Sequence, residues 1–458
     1  MEVSMKNNNI NNWRQKLHLE PPEGWLNDPN GLSFFNGEYH VYFQHSPGSS
    51  LGKTTRCWGH FCGKTLTELS YEGIVLRPDI YEDKNGVYSG SAVNNGNVLH
   101  IFYTGNVLEK GDFDYIKEGR GANVIHVTSA DGEHMSEKLV VLSNADYPEF
   151  CSCHVRDPKV YKADGEWKMV LGARTLDDQG GVLFYKSKDL DNWEYEKFLT
   201  RENFGYMWEC PDYFKLGQMS FLSVSPQGLP HYEDRFQNVY QSGYFTLVNE
   251  RLINFVEWDM GFDFYAPQTF ENFDGRRIMF AWMGIENEEY GNATTDSGWQ
   301  HCLTIPNEIT LGKGGKLLRN PVREWKNLRN EIIVSISGNC DEENVFIVPD
   351  KVELPFELVA ITQDDFEISF DERLKAYYDK NDNHFILCFL DEYYGSGRKT
   401  RKARLDRLEK IRIIADMSSI EIYINDGEVV FCTRFYPENN YVKVKIQGVV
   451  DATIWKLI

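Results

Sequence analysis

Five times between residues 37 and 275 the chain sets a glycine in a turn and follows it with a short apolar run, and this repeat narrows the possible folds more than any single motif does. Gly37 leads into His40 to Gln44, Gly96 into Val98 to Tyr103, Gly165 into Trp167 to Leu171, Gly217 into Phe221 to Val224, and Gly275 into Ile278 to Trp282. The intervals between these glycines are 59, 69, 52 and 58 residues. Such lengths are too long for a solenoid repeat and hold the four strands of a propeller blade with its loops. Five units predict a five-bladed β-propeller. A large sandwich with irregular hairpins would show the same turns, but it would not explain a second regularity.

That regularity concerns three acids. Asp28 lies eight residues before Asn36, Asp157 seven before Asp164, and Glu209 seven before Leu216, each of these being the residue that precedes a turn glycine. If the runs between are the first strands of similar hairpins, the three carboxylates occupy similar places on three copies of one unit. A cyclic arrangement then brings them together. Converging carboxylates repel one another and lose hydration, which pushes their pKa values apart. One stays ionised as a nucleophile while another stays protonated as a general acid, the division of labour that glycoside hydrolysis needs. Trp25, Trp58, Trp208 and Tyr265 are candidates for a sugar-facing surface, and Asn27, Gln44 and Arg156 for contacts with hydroxyls.

At 458 residues the chain exceeds what one hydrophobic core usually supports. The pattern changes between Leu311 and Glu331, where Gly312, Gly314 and Gly315 loosen the chain and Pro321 to Arg329 read as a short helix. Beyond it come alternating runs such as Ser419 to Ile424, a hairpin signal at Asn425-Asp426-Gly427, and Val429 to Phe431. The expected division is a propeller over 13–315, a linker with a short helix over 316–332, and a β-sandwich over 333–458. The fold class is therefore all-β, a five-bladed β-propeller followed by a C-terminal β-sandwich.

A formal net charge of -21 opposes nucleic-acid and anionic-membrane partners, which need clustered Lys and Arg. Residues 1–12 are polar with no apolar stretch, and nine cysteines, an odd number, fit reduced thiols better than a disulfide framework. The expectation is a cytoplasmic protein with a small-molecule sugar as its partner; the oligomeric state is left open. Cys151-Ser152-Cys153-His154 lacks a second ligand cluster and is a weak metal signal.

Several motifs together resemble the bacterial β-fructofuranosidases of glycoside hydrolase family 32. They are Trp25 to Gly31, Trp58-Gly59-His60, Tyr88 to Ala92 with Ser89, Arg156-Asp157-Pro158, Trp208 to Asp212, and Tyr265 to Phe270. The resemblance implies a five-bladed propeller followed by a β-sandwich and retaining cleavage of terminal fructosyl bonds. It implies Asp28 as nucleophile, Glu209 as acid/base and Asp157 as the stabiliser that holds fructosyl hydroxyls, with no metal or organic cofactor. Ser225 to Gly228 and Tyr240 to Tyr244 resemble the intracellular sucrose-6-phosphate hydrolases of the family. A phosphorylated sugar needs a local cation, and Lys53 and Arg56 are the candidates. Asn307 stands where the family commonly has Arg. Short fructans as substrate, fructosyl transfer through the same covalent intermediate, and a sugar-binding propeller without catalysis remain alternatives.

Overall fold

The computed structural model describes residues 13–337, 345–348 and 351–458, so the polar stretch 1–12 lies outside the described residues. The five turn glycines do what the repeat implies. Each joins the innermost strand of a blade to its neighbour, with φ between 60° and 85°. At none of the five would a Cβ meet another atom within 4 Å, so the left-handed backbone, rather than crowding, calls for glycine.

Blade 1 comprises β1 (Gly24–Phe35), β2 (Glu38–Ser46), β3 (Cys57–Thr65) and β4 (Glu68–Leu76). Blade 2 follows as β5 (Val87–Asn95), β6 (Val98–Leu108), β7 (Arg120–Ser129) and β8 (Leu139–Leu142), and blade 3 as β9 (Cys151–Ala163), β10 (Glu166–Thr175), β11 (Gly180–Ser187) and β12 (Glu194–Thr200). Blade 4 holds β13 (Met207–Leu216), β14 (Met219–Gln227), β15 (Gly243–Val248) and β16 (Arg251–Glu257). Blade 5 begins with β17 (Tyr265–Glu271) and β18 (Arg277–Met283), makes a loop carrying β19 (Trp299–Gln300) and β20 (Cys302–Leu303), and finishes with β21 (Asn307–Leu311) and β22 (Leu317–Pro321). β19 closes the ring by pairing in parallel with β1, Gly24 against Trp299 and Trp25 against Gln300.

The apolar core lies between blades rather than inside one layer. Phe35, Tyr42 and Trp58 of blade 1 meet Leu99, Ile101 and Tyr103 of blade 2, and equivalent clusters fill the other four gaps, Trp25 and Phe43 meeting Tyr265 and Trp282 where blade 1 closes on blade 5. Sheets covered on both faces need near-continuous apolar strands, which is why β2 is buried from Tyr39 to Ser46.

The second domain is the expected β-sandwich. Two long strands, Phe356–Phe370 and Val444–Leu457, pair along their length and break register midway. One half of Phe356–Phe370 continues through Lys410–Ala415, and the other through Leu374–Asp379. The interval 316–332, read from the sequence as a linker, is corrected at its start. Leu317–Pro321 pairs with Asn307–Leu311 as the outer strand of blade 5, and the short helix is a 3-10 turn over Arg323–Leu328. Glycines 312, 314 and 315 form the tight turn into that outer strand.

The domains are locked by buried charged groups: Arg398 of the sandwich clasps Asp263 through two bonds of 2.8 and 2.6 Å, and Asp259, paired with Arg319 of blade 5 at 2.5 Å, accepts the Cys432 backbone N–H of the sandwich at 3.0 Å. His18 bridges Asp416 at 2.9 Å and Glu421 at 3.0 Å, both in the sandwich. Asn307 contributes here too, its Oδ1 accepting from the Tyr423 hydroxyl at 3.2 Å. Among the described residues no helix is long and apolar enough to cross a membrane.

Candidate active site

All five inner strands break register with their neighbours at one level: between Leu26 and Pro29, Val87 and Gly90, Arg156 and Lys159, Glu209 and Asp212, and Tyr265 and Gln268. Pro158, Pro211 and Pro267 fall in three of these bulges, where a missing N–H breaks no ladder bond, and Pro29 ends a fourth at its pairing with Phe43. Asp157, Cys210 and Ala266 adopt positive φ of 64°, 47° and 49° there. A bulge re-aims the side chains around it. At three of the five it presents an acid to the central channel, and the offset of seven or eight residues before the turn is the sequence trace of that shared geometry.

Asp28, Asp157 and Glu209 line one cavity of about 240 Å3, together with Asn27, Gln44, Arg56, Tyr88, Arg120, His154, Arg156, Gln227, Tyr240, Tyr265, Trp282 and Glu286. Glu209 is held from two sides. Its Oε1 accepts from Arg156 Nε at 3.0 Å and Nη2 at 2.6 Å, and its Oε2 accepts from Gln227 at 2.7 Å and the Tyr265 hydroxyl at 2.6 Å. Asp157 Oδ2 accepts the Cys210 backbone N–H at 2.9 Å, and the Cys210 thiol points at Asp157 (3.7 Å) and Asp28 (3.6 Å). Burial raises the pKa of both Asp28 and Asp157, and repulsion from Glu209 adds to it. For Asp157 the adjacent Arg156 guanidinium works in the opposite direction.

Behind Asp28 runs a polar chain whose direction is fixed at its far end. The Trp25 indole N–H, which can only donate, bonds Asn27 Oδ1 at 3.0 Å. Asn27 Nδ2 must then face Gln44 Oε1 (2.8 Å), and Gln44 Nε2 faces Ser89 Oγ (2.8 Å). Ser89 is left to donate its proton to Asp28 Oδ2, at 2.5 Å. Four donors in series aim at one carboxylate.

Of the residues expected to touch substrate, Asn27, Gln44, Arg56, Arg156 and Tyr265 line the cavity, while Ser89 sits 2% exposed behind Asp28. Trp58 is corrected: it is fully buried between blades 1 and 2, with its N–H spent on the Tyr88 carbonyl at 3.0 Å. Trp208 is likewise core, stacked on Phe245 with ring centroids 5.4 Å apart. It directly precedes Glu209 in β13, and neighbours in a strand point to opposite faces. Trp25 packs edge-on to Trp282, and Trp282 is the tryptophan of the lining. Lys53 is also corrected, being exposed on the loop and absent from the lining, whereas Arg56 reaches the cavity and holds the Gly52 carbonyl (2.5 Å) and Glu286 (3.3 Å).

Tyr88, Arg120, His154, Gln227, Tyr240, Trp282 and Glu286 were missed as lining residues, although Tyr88, Gln227 and Tyr240 lie inside motifs that the sequence displays. His154 of the Cys-Ser-Cys-His stretch has an assigned task. Burial and then Arg156 lower its pKa to about 3, so the neutral ring accepts from Arg156 Nη1 at 2.8 Å through Nδ1. Arg120 bonds Asn106 at 2.9 Å and has no carboxylate within ion-pair distance among the described residues. All eight described cysteines are free thiols.

Comparison with known proteins agrees with this geometry. The profile of the glycosyl hydrolases family 32 N-terminal domain matches residues 18–321, and that of the family 32 C-terminal domain matches 350–456. The sucrose-6-phosphate hydrolase of Bacillus subtilis (strain 168) is 37% identical over 97% of this chain and 94% of its own length. The raffinose invertase of Escherichia coli is 34% identical over 98% of this chain and 96% of its own. Among solved structures, the sucrose-6-phosphate hydrolase from Lactobacillus gasseri superposes with a TM-score of 0.86 at 26% identity, covering 98% of this chain and 94% of that one.

Proposed function

The chain belongs to glycosyl hydrolase family 32 and is a glycoside hydrolase, and from that premise we propose that it is a retaining β-fructofuranosidase acting on sucrose 6-phosphate and on sucrose. The observation that carries the reading is the convergence of Asp28, Asp157 and Glu209 on one cavity beside a hydrogen-bonded Arg156–His154 pair and Trp282. In this reading Asp28 attacks the anomeric carbon of the fructosyl unit while Glu209 gives a proton to the departing glycosidic oxygen. Glu209 then takes a proton from water, which cleaves the fructosyl ester and restores the Asp28 carboxylate. Asp157 holds fructosyl hydroxyls. Ser89, Gln44 and Asn27 position Asp28, and Tyr265 and Gln227 position Glu209.

The phosphate calls for a cation in a chain of net charge -21. Arg56 at the cavity, paired at 3.3 Å with an exposed Glu286, and Arg120, which pairs with no described carboxylate, meet that need. Free thiols suit the reducing cytoplasm in which a phosphorylated sugar would be met. Comparing kcat/KM for the two sugars tests the proposal. Fructose should be released from both, with the phosphate ester preferred. Replacing Arg56 or Arg120 by Ala should weaken use of the ester by about ten- to a hundredfold, the worth of one charge-assisted contact, and leave sucrose little affected. No fructose from either sugar would overturn the reading. Equal loss on both sugars would remove the phosphate site from it.

A further inference from the structure

Away from the channel, blade 1 gathers a second set of chemistry-bearing side chains. Glu38 and His40 alternate on β2, and His60 and Cys62 alternate on β3. His40 pairs directly opposite Cys62, so all four side chains stand on one face of the ladder. His40 Nδ1 and His60 Nε2 are 3.0 Å apart, and the Cys62 thiol is 3.7 Å from Glu38 Oε2. The ligating atoms of His40, His60 and Cys62 all lie within 4.8 Å of one another. His40 is 1%, His60 0% and Cys62 9% exposed. Their outer nitrogens, His40 Nε2 and His60 Nδ1, have no hydrogen-bond partner among the described residues. Two imidazoles buried around one shared proton make a poor polar network on their own.

We propose that this face is a tetrahedral site for a soft divalent cation of the zinc class, bound by His40 Nδ1, His60 Nε2, the Cys62 thiolate and a Glu38 carboxylate oxygen. With ordinary zinc bond lengths a tetrahedral site spaces nitrogens about 3.4 Å apart and sulfur about 3.6 Å from nitrogen or oxygen. The His40–His60 and Cys62–Glu38 spacings therefore need shifts of a few tenths of an ångström, the His40, His60 and Cys62 atoms draw in by up to about 1 Å, and Glu38, which lies outside that group of three, turns toward them. The cation replaces the hydrogen bond between the two rings: the ring that donated it moves its proton to its own outer nitrogen and binds as a neutral imidazole, and the Cys62 thiol proton leaves to solvent. Glu38 is half-buried at the rim and gives the ion its path in. Thiolate and imidazole ligands select zinc over magnesium or calcium. Bound there, the ion staples β2 to β3 four residues from Gln44, outside the reacting groups.

Cobalt(II) titrated into the chelator-treated, desalted full chain reads the site directly. One ion per chain should bring up the near-ultraviolet sulfur-to-cobalt band and the intense visible bands of a tetrahedral centre. Cys62→Ser should lose the sulfur band, and zinc should raise the melting temperature of the unsubstituted chain but not of this variant. Absence of the band, or its persistence in Cys62→Ser, overturns the proposal. Should Cys62→Ser not fold, Glu38→Gln serves: its cobalt affinity falls if the site is right, and unchanged affinity overturns it.

Discussion

Replacing Ser89 by Ala removes the last donor of the chain that ends on Asp28, and its effect is readable in a pH profile. The hydroxyl donates at 2.5 Å to Asp28 Oδ2 from a residue 2% exposed. It is the main influence holding down an Asp28 pKa that burial and Glu209 raise. A hydrogen bond to a charged group contributes about 1.5–3 kcal/mol, which at 1.36 kcal/mol per unit moves a pKa by roughly one to two units. The nucleophile works ionised, so activity lies above this pKa, and losing the bond must push the acidic limb of kcat/KM to higher pH. The limb belongs to the coupled carboxylates together, so the shift is read macroscopically. Assayed on sucrose, Ser89→Ala should lose about ten- to a hundredfold on the acidic side relative to its own plateau, and Ser89→Thr should restore the limb. Gln44 Nε2 loses its acceptor as well, which costs about 1–3 kcal/mol of stability, measurable by denaturant unfolding. A plateau that falls while the acidic limb stays in place would refute the reasoning.

Asp28→Ala and Glu209→Ala should each remove most turnover with the fold intact; a substrate with an activated leaving group should partly rescue Glu209→Ala but not Asp28→Ala, and equal rescue of both sinks the role assignment. Early-time NMR of fructose released from a β-fructoside should show the β-anomer first, and first appearance of the α-anomer would mean inversion. His18, held between Asp416 and Glu421, has its pKa raised from 6.5 to about 9. A raised histidine gives its stability in full below the unfolded pKa and loses it as pH rises through the folded one. Melting temperature should therefore decline between about pH 6.5 and 9, with about 3 kcal/mol at stake, and His18→Gln should be less stable at neutral pH and lack that decline.

The amino-acid sequence determined the features that are local or periodic. A turn that needs φ near +60° to +85° calls for glycine wherever the chain goes, so Gly37, Gly96, Gly165, Gly217 and Gly275 announce five inner hairpins. The acids are legible for a related reason: a bulge at a fixed distance from a turn sets the direction of Asp28, Asp157 and Glu209 within their own strands. What only the tertiary structure decided depends on which strand lies across the gap. Trp58 and Trp282 are equally apolar, yet blade 2 covers one and the channel receives the other. Lys53 and Arg56 are three residues apart, and the turn between Ser49 and Gly52 folds Arg56 inward over Trp25. The Trp25–Asn27–Gln44–Ser89 chain draws on three strands in two blades, so it reaches Asp28 only once blade 2 packs against blade 1. The same holds for the His40, His60 and Cys62 face, whose members meet because cross-strand register, which short-range pattern does not encode, sets His40 opposite Cys62.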